Sequence, residues 1–498
     1  MSGVVGGRAT KRSLAWGALR VILVAAAAVG MVRYADGSTW TADLTRATTG
    51  ASGSGVVAVT DAEVMCPGAE LTGITGARNV STSPVIAAAV PPADLLLSAT
   101  GSASGSGKVT LGPQSGKATV SSTARAIATT SPPAGSAVRV HATGGLAPGL
   151  VASQLSVATL DTVRGLVTAS CGVPASDLWL IAGGGQPGRQ ERLVLTNAGA
   201  NEVIVDVSVM GADGPVTSAA GHGLIVPAHG RLGVLVDAIA GAEKSPVVHV
   251  TATGGLVRAT LNDTWLDGTV PAGSSDVTAA AMPARRAVIP GVAVDGSGVL
   301  RLANPGTTEA VVQVRTISAD GGAPLPDKGV FTLAAGSVAD VPLTGLPTAN
   351  FALDVSADVP VVAGAVINRR VGGGNGDFAW TSATAPIVDL GGAALPAGPS
   401  GLTRRLMLVA TGGSSSVRLT TVTPDGAAKT TTLTLGQDTN ESVDLLQAAS
   451  VWIEPDGPGA VRGAVVSTLG QGADQQVSVL PVASAMISAT RSGITIRP

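Results

Sequence analysis

Hydrophobic and polar residues alternate with a period of two in the best-patterned part of the chain, residues 177–265. Its clearest run places valine at every second position from Val203 to Val209, which predicts a strand with one buried face. Segments rich in Asn, Asp, Gly and Pro separate the runs and favour tight turns. About seven short strands without a helical period predict an Ig-like antiparallel β-sandwich.

The same order of turns and strands recurs further along the chain. The Asn-Ala-Gly turn at Asn197 is matched by Asn-Pro-Gly at Asn304, 107 residues later. The Asp-Gly turns at Asp213 and Asp320 are also 107 residues apart, and a third follows at Asp425, 105 residues beyond. Solenoid repeats and propeller blades are shorter, so this period indicates a repeated domain.

The repeat divides the chain into units, and a fourth, degenerate copy with a Ser/Gly/Thr-rich insertion precedes the three regular ones. We therefore predict an all-β protein of tandem Ig-like antiparallel β-sandwich domains after an N-terminal transmembrane helix. The expected boundaries are 1–12 for a cytoplasmic N-terminus, 13–32 for a transmembrane anchor or signal, 33–60 for a linker, 61–172 for the degenerate sandwich, and 173–285, 286–390 and 391–498 for the regular sandwiches.

Composition favours this fold class. The 498 residues are 45% hydrophobic but only 2% aromatic, so the cores must be built from Val, Ala and Leu. Small β-branched side chains suit pleated sheets, and two sheets about 10 Å apart can close over them.

The N-terminal segment indicates export. Arg8, Lys11 and Arg12 precede an apolar stretch, 13–32, that Arg20 interrupts. Basic residues before such a stretch keep the N-terminus in the cytoplasm and place the following chain outside. Counted from residue 13, the stretch can span the membrane with Arg20 reaching toward the surface, whereas the shorter part after Arg20 suits a cleaved signal peptide. We expect a single-pass anchor in the cell membrane, with secretion as the alternative.

Two cysteines, Cys66 and Cys171, lie in the exported part. An even count outside the cytoplasm predicts a disulfide, and two buried free thiols are the alternative. The disulfide would close a loop of about 105 residues, worth roughly 4–5 kcal/mol in the chain-entropy model. No His or further Cys lies at metal-ligand spacing, so we expect neither a metal nor a cofactor.

The sequence shows no pattern of catalytic residues. His141 and His249 occupy equivalent points of two repeats, which a structural role explains. No Gly-x-Ser-x-Gly elbow occurs, and no base is positioned beside a nucleophile, so we expect no enzymatic activity. The chain after residue 33 is acidic overall and poor in aromatic residues, whereas nucleic-acid binding needs a cationic face and stacking platforms. We expect no nucleic-acid partner.

Tryptophan and aspartate recur together near the ends of the units, and two interpretations are open. The Trp plugs the end of a sandwich while the Asp binds turn amides, or the indole stacks on a sugar while the Asp accepts its hydroxyl groups. The candidate platform residues are Asp177, Trp179, Asp263, Trp265, Asp377 and Trp380.

Cys171 lies shortly before the Trp179 strand, turns follow at Asn197, at Asp213 and at 226–230, and the final strand reaches Trp265. This layout resembles the DUF5719 family, found in actinobacterial membrane-anchored or secreted proteins, over most of residues 60–498. Single units also resemble the sensory-rhodopsin transducer β-sandwich. Neither resemblance implies an active site, and a shared fold is weak support for function.

These observations predict a non-enzymatic cell-envelope protein, a rod of three or four sandwiches outside the membrane. We expect it to act as a structural scaffold or as a binding module for envelope glycan or a partner protein. The alternative is an accessory or sensor subunit of a membrane enzyme of envelope glycan assembly.

Overall fold

The computed structural model describes residues 55–70, 84–100, 106–114, 117, 120–133, 135–295, 297–370 and 373–491. The predicted cytoplasmic N-terminus at 1–12, the membrane segment at 13–32 and most of the linker at 33–60 lie outside these residues. Within them, no helix combines the length and hydropathy needed to cross a membrane.

The chain divides into two compact units. The smaller one, residues 1–57 and 489–498, holds most of strands β1 (Gly55–Ala58) and β35 (Ser488–Arg491), which pair in a two-stranded sheet. The larger unit, residues 58–488, contains four β-sandwiches, here numbered 1 to 4 in chain order.

Sandwich 1 has two four-stranded sheets, ordered β2-β7-β4-β5 and β6-β3-β8-β9. Its elements are β2 (Asp61–Cys66), β3 (Val85–Ala89), helix α1 (Ala93–Thr100), β4 (Gly107–Pro113), β5 (Val120–Ser122), β6 (Ala128–Thr130), β7 (Val138–Gly144), β8 (Val151–Thr159) and β9 (Arg164–Cys171).

Sandwich 2 repeats this arrangement with sheets β10-β16-β12-β13 and β15-β11-β17-β18, and β14 also pairs with β12. Its elements are β10 (Asp177–Ile181), β11 (Arg189–Asn197), β12 (Val203–Gly211), β13 (Gly214–Val216), β14 (Leu224–Val226), β15 (Gly230–Leu235), helix α2 (Asp237–Ala240), β16 (Val247–Thr253), β17 (Arg258–Asp267) and β18 (Val270–Thr278).

In sandwich 3, one long strand, β25, takes part in both sheets: it pairs with β19 and β21 in one and with β20 and β26 in the other. Its strands are β19 (Ala284–Val294), β20 (Ser297–Ala303), β21 (Ala310–Ser318), β22 (Gly321–Pro324), β23 (Val330–Leu333), β24 (Val338–Pro342), β25 (Ala349–Arg370) and β26 (Gly376–Ser382).

Sandwich 4 has the strand orders β30-β29-β32-β27 and β34-β33-β28-β31, joined where β27 pairs with β34. Its elements are β27 (Gly391–Ala394), β28 (Thr403–Thr411), β29 (Ser415–Val422), β30 (Ala428–Leu435), β31 (Thr439–Asp444), β32 (Ser450–Asp456), β33 (Ala460–Leu469), a 3₁₀ turn (Gly472–Asp474) and β34 (Gln476–Ser484).

Alternating burial explains why these segments form sandwiches. In β12, Val203, Val205 and Val207 are buried between the sheets, whereas Ile204 and Asp206 face solvent. The apolar face of each sheet is covered by its partner sheet, which is the stable arrangement for a sheet with one hydrophobic face. The prediction of an all-β protein built of antiparallel sandwiches is confirmed.

The repeat is visible at the level of single hydrogen bonds. The Asn197 Nδ2 lies within 2.7–3.2 Å of the carbonyl oxygens of Asn201, Val226 and Pro227. The Asn304 Nδ2 makes the same contacts one unit later, at 2.8–3.2 Å, with residues 308, 333 and 334. The Asn-x-Gly turns noted in the sequence therefore fasten the same loop in two sandwiches.

The expectation of a linear rod is wrong, because the sandwiches close into a ring. The last strand of each sandwich packs against that of the next: β9 against β18, β18 against β26, β26 against β34, and β34 against β9. We call these four the axial strands. The contact between sandwiches 1 and 4 includes the Thr168 N–H, which donates to Ser478 Oγ at 3.0 Å.

The axial strands pack closely because glycine occupies their points of approach. At Gly273, which has a φ of +137°, a Cβ atom would lie 2.7 Å from the backbone nitrogen of Phe378. At Gly165, a Cβ would lie 2.9 Å from Ser274. Larger side chains at these positions would separate the strands.

Candidate functional site

The disulfide predicted between Cys66 and Cys171 is confirmed, with a Cα–Cα distance of 4.3 Å. It connects β2, in one sheet of sandwich 1, to the end of the axial strand β9, in the other sheet. The bond therefore fixes the end of one axial strand to the body of its sandwich.

Asp377 lies where the four axial strands meet, and its side chain accepts a hydrogen bond from each of them. It belongs to β26, and its Oδ2 accepts the N–H of Leu166 in β9 at 3.0 Å and that of Val477 in β34 at 2.9 Å. Its Oδ1 accepts the N–H of Ser274 in β18 at 3.2 Å and that of Phe378 at 3.0 Å. One carboxylate thus joins all four sandwiches.

Burial determines the protonation of this group. Asp377 is 1% exposed, and burial raises its pKa to about 7, although the four N–H donors favour the charged form and oppose the shift. Of the two interpretations of the recurring Asp residues, Asp377 fits the one in which the carboxylate binds backbone amides. A face open to a sugar is not formed at this residue.

Asp263 and Trp380 contact each other at the interface between sandwiches 2 and 3. The Trp380 indole N–H donates to Asp263 Oδ2 at 2.7 Å, and the Arg189 guanidinium donates to both oxygens of the same carboxylate. Asp263 is fully buried and Trp380 is 2% exposed. Burial, together with the charge of Asp263, raises the pKa of the neighbouring Glu191 carboxyl. This cluster connects two sandwiches and presents neither ring nor carboxylate to a ligand.

The remaining platform candidates lie elsewhere on sandwich 2. Trp179 is buried and stacks on His249 with ring centroids 3.9 Å apart, while His249 Nε2 lies 2.9 Å from Asp177 Oδ1. Trp265 is half-buried, and its indole N–H donates to the Pro187 carbonyl at 3.2 Å. By these contacts the six residues fall into four groups: Asp377, Asp263 with Trp380, Asp177 with Trp179, and Trp265.

A cavity of about 570 Å³ lies at the C-terminal ends of the axial strands, and we call it the axial cavity. Sandwiches 1, 2 and 4 contribute to its wall, together with the connections that precede and follow sandwich 3. Most of the wall is made of small or aliphatic residues, among them Val64, Leu150, Leu178, Ala281, Ala383, Leu480 and Val482.

A narrow void of about 10 Å³ lies between the axial strands and shares the wall residues Ser170, Thr278 and Pro481 with the axial cavity. This volume is close to that of a single water probe. Asp276 lines the void, and burial raises its pKa to about 6, opposed by hydrogen bonds from Asn262 and Gln154.

Arg258, at the start of β17, is the buried cation in the wall of the axial cavity. It is 5% exposed, and its Nη2 donates to the Ser170 carbonyl at 3.3 Å. Its guanidinium lies against Gly172, where a Cβ atom would be 2.6 Å from Nε. Its buried Nε has no hydrogen-bond partner in the described part of the chain. Burial lowers the pKa of Arg258 to about 10.

Sequence reasoning did not identify Arg258 as a functional residue. The sequence carries Gly255-Leu-Val-Arg at the opening of β17 and Gly459-Ala-Val-Arg at the opening of β33. The usable signal was that Arg258 and Arg462 recur at the same point of an otherwise apolar strand opening. The Arg462 guanidinium likewise donates to a residue of the cavity wall, the Thr384 carbonyl, at 2.9 Å.

The axial cavity has a largely apolar wall with one buried cation, Arg258, and two carboxylates, Asp61 beside His141 and Glu63 paired with Arg139. The acidic groups on the axis itself are already hydrogen-bonded. No cluster of three or more His, Cys, Asp or Glu side chains suited to a metal ion occurs among the described residues.

Comparison with solved structures gives only weak likenesses to this chain. A pilus backbone protein of Streptococcus pneumoniae is 14% identical over 47% of this chain and 84% of its own, with a TM-score of 0.10. A glycoside hydrolase family 32 protein of Bifidobacterium adolescentis is 10% identical over 86% and 98%, with a TM-score of 0.14. A tetra-tandem repeat from the extending region of a large adhesion protein is 12% identical over 78% and 92%, with a TM-score of 0.10. Scores this low carry no argument about fold or function.

No curated protein matches the sequence. A family model described as a family of unknown function, DUF5719, matches residues 126–446, which is more than half of the chain. The chain therefore belongs to the DUF5719 family.

Proposed function

We propose that the chain is a non-enzymatic binding module of an actinobacterial cell envelope, in which the ring of four sandwiches is the scaffold of a ligand site. The observation that carries the proposal is the axial cavity, whose wall is formed by sandwiches 1, 2 and 4 and by the connections on both sides of sandwich 3. Its volume of about 570 Å³ and its largely apolar wall are typical of sites that bind small molecules.

The buried polar groups support a binding role over a catalytic one. Asp377 and Asp263 are committed to hydrogen bonds that hold sandwiches together. A general acid or base must instead reach the proton that it transfers in a bound substrate. These carboxylates therefore hold the sandwiches together and are not free to transfer a proton to a substrate.

The disulfide supports an extracytoplasmic location, since such bonds persist mainly in oxidising compartments. We propose that the segment 13–32 anchors the chain in the cell membrane with residues 33–498 outside, and that secretion is the alternative.

Filling the cavity tests this function. The substitution Ala281→Trp places an indole in the cavity wall, and Ala219→Trp makes the same change at an exposed position of sandwich 2. The full chain is expressed in an actinobacterial host, purified from the envelope and analysed for bound small molecules by mass spectrometry. We expect a bound envelope component in the wild type and in Ala219→Trp, and its loss in Ala281→Trp. Equal content in all three proteins would refute the proposal.

Exposed apolar residues favour a second function, that of an accessory or sensor subunit of a membrane enzyme of envelope glycan assembly. Ile204 and Ile225 are paired across β12 and β14 and are 48% and 54% exposed. Val311 and Val330 are exposed on the corresponding strands of sandwich 3. Replacing Ile204 and Ile225 with serine would release a membrane-protein partner if these residues form the contact, whereas Ala281→Trp would not.

A further inference from the structure

Arg258 is a buried cation that the protein itself leaves without a counter-charge. No ion pair joins it to a carboxylate among the residues that the structure describes. Two other buried arginines are treated differently: Arg189 donates to Asp263 at 2.8 Å, and Arg301 donates to Asp340 at 2.7 Å. Among the described residues, Arg189 and Arg301 are thus paired with carboxylates, whereas the buried Arg258 and Arg462 are not. Arg462 donates through Nε to the Thr384 carbonyl and through Nη1 to Thr411, so Arg258 differs from it in having an Nε without a partner.

Leaving a buried charge unpaired is unfavourable, because the solvation that it loses is not replaced. The guanidinium group can donate two parallel hydrogen bonds to the oxygens of a carboxylate or phosphate. Its Nε already lacks a partner, and its Nη2 has a long hydrogen bond to Ser170. An anionic group at this position would restore the lost interactions.

The rest of the axial cavity favours an apolar ligand body. Aliphatic side chains from three sandwiches, including Leu150, Leu178 and Val482, line it together with the alanines of the connections between sandwiches. A sugar would leave its hydroxyl groups unpaired against such a wall, whereas an alkyl chain loses no hydrogen bond on entering it.

We propose that the axial cavity binds a single-chain amphiphile with an anionic head group, which Arg258 anchors, and an alkyl body, which lies along the apolar wall. This rests on the proposed function, in which the axial cavity is a ligand site. The head is a carboxylate, as in a fatty acid, or a phosphate, as in a lipid fragment, and both present the same charge to the guanidinium.

The test measures equilibrium binding of decanoate, decyl phosphate and decanol to the full chain in lipid nanodiscs, with empty discs subtracted. Arg258→Met removes the charge and retains an aliphatic side chain, and Arg258→Lys retains the charge. Arg405→Met is the matched control at an exposed arginine of sandwich 4. Ala281→Trp fills the cavity.

We expect one site at which decanoate or decyl phosphate binds at least tenfold more tightly than decanol. Arg258→Met should abolish this preference without changing decanol binding, Arg258→Lys should restore part of it, and Arg405→Met should leave it intact. Tighter binding of decanoate points to a fatty acid as the ligand source, and tighter binding of decyl phosphate points to a phosphorylated lipid.

Two failures are distinguishable. In the first failure, Ala281→Trp blocks decanol binding but neither anion binds more tightly than decanol, or Arg258→Met leaves the preference for the anions unchanged. Either result excludes the anionic ligand and leaves the proposed binding module standing. If no probe binds the wild type better than it binds Ala281→Trp, the proposed function fails together with this inference.

Discussion

Replacing Asp377 with alanine removes the one acceptor that four backbone N–H groups share on the ring axis. Three of these donors, those of Leu166, Ser274 and Val477, belong to the other three sandwiches. Since Asp377 is 1% exposed, water does not reach these groups in the intact ring. The substitution therefore leaves buried donors without partners and removes a link between all four sandwiches.

Each buried donor left unsatisfied costs about 1–3 kcal/mol, so the three inter-sandwich donors together cost roughly 3–9 kcal/mol. This is a large part of the ~5–15 kcal/mol that stabilises a typical folded domain. Asp377→Asn keeps one acceptor oxygen but turns an amide NH₂ toward the other donors, so we expect about half of the loss.

The assay is urea unfolding of the full chain followed by circular dichroism, with amide hydrogen exchange at Leu166, Ser274 and Val477 as the local measurement. Asp213→Ala, in the exposed hairpin turn of sandwich 2, is the matched control and should change stability by less than about 0.5 kcal/mol. We expect the three axial amides to exchange faster in Asp377→Ala than in Asp213→Ala. If Asp377→Ala unfolds within about 1 kcal/mol of the wild type and its axial amides stay protected, the carboxylate does not hold the ring together.

Three further perturbations test the same structure. Reduction of the disulfide between Cys66 and Cys171, which are 105 residues apart, should lower the free energy of unfolding by about 4–5 kcal/mol, because the unfolded chain regains the entropy of the open loop. A thermal melt with and without dithiothreitol measures this change. Burial raises the pKa of Asp276 to about 6, so the folded state retains a proton that the unfolded chain releases near pH 4. As the pH rises from 4 to 6, the free energy of unfolding should therefore fall by about 3 kcal/mol through this group and then stay constant, which urea titrations across pH would show. Alanine at Asn197 or Asn304 should cost about 1–3 kcal/mol, and nearly equally, since both side chains fasten the same turn.

Each perturbation has a control with a defined contrary result. A variant with both cysteines replaced by serine should not respond to dithiothreitol, and an equal response would show that the reductant acts elsewhere. Asp276→Asn should flatten the pH dependence below pH 6, and an unchanged slope would assign it to other groups. Unequal losses at Asn197 and Asn304 would show that the two turns are not energetically equivalent.

Much of this molecule follows from local sequence. Alternation of valine with polar residues determined the strands of sandwich 2, and the turns at Asn197 and Asn304 revealed the repeat, because side-chain direction and turn chemistry depend on near neighbours. The pairing of Cys66 with Cys171 followed from an even cysteine count in a chain that the sequence predicts to be exported. These features need no knowledge of which sandwiches touch.

The ring and its axis depend on tertiary structure. Ser274, Asp276 and Asp377 have the composition of a solvated strand, and their burial becomes evident only when all four axial strands are assembled. The carboxylate of Asp377 is held there by donors from sandwiches far apart in sequence. Arg258 has no ion pair because no acidic side chain in the described part of the chain converges on it. The local pattern of residues indicates which side chains prefer burial. The partners of a buried charge come instead from contacts between distant segments, and these contacts decided both the hydrogen bonds of Asp377 on the axis and the position of Arg258 in the axial cavity.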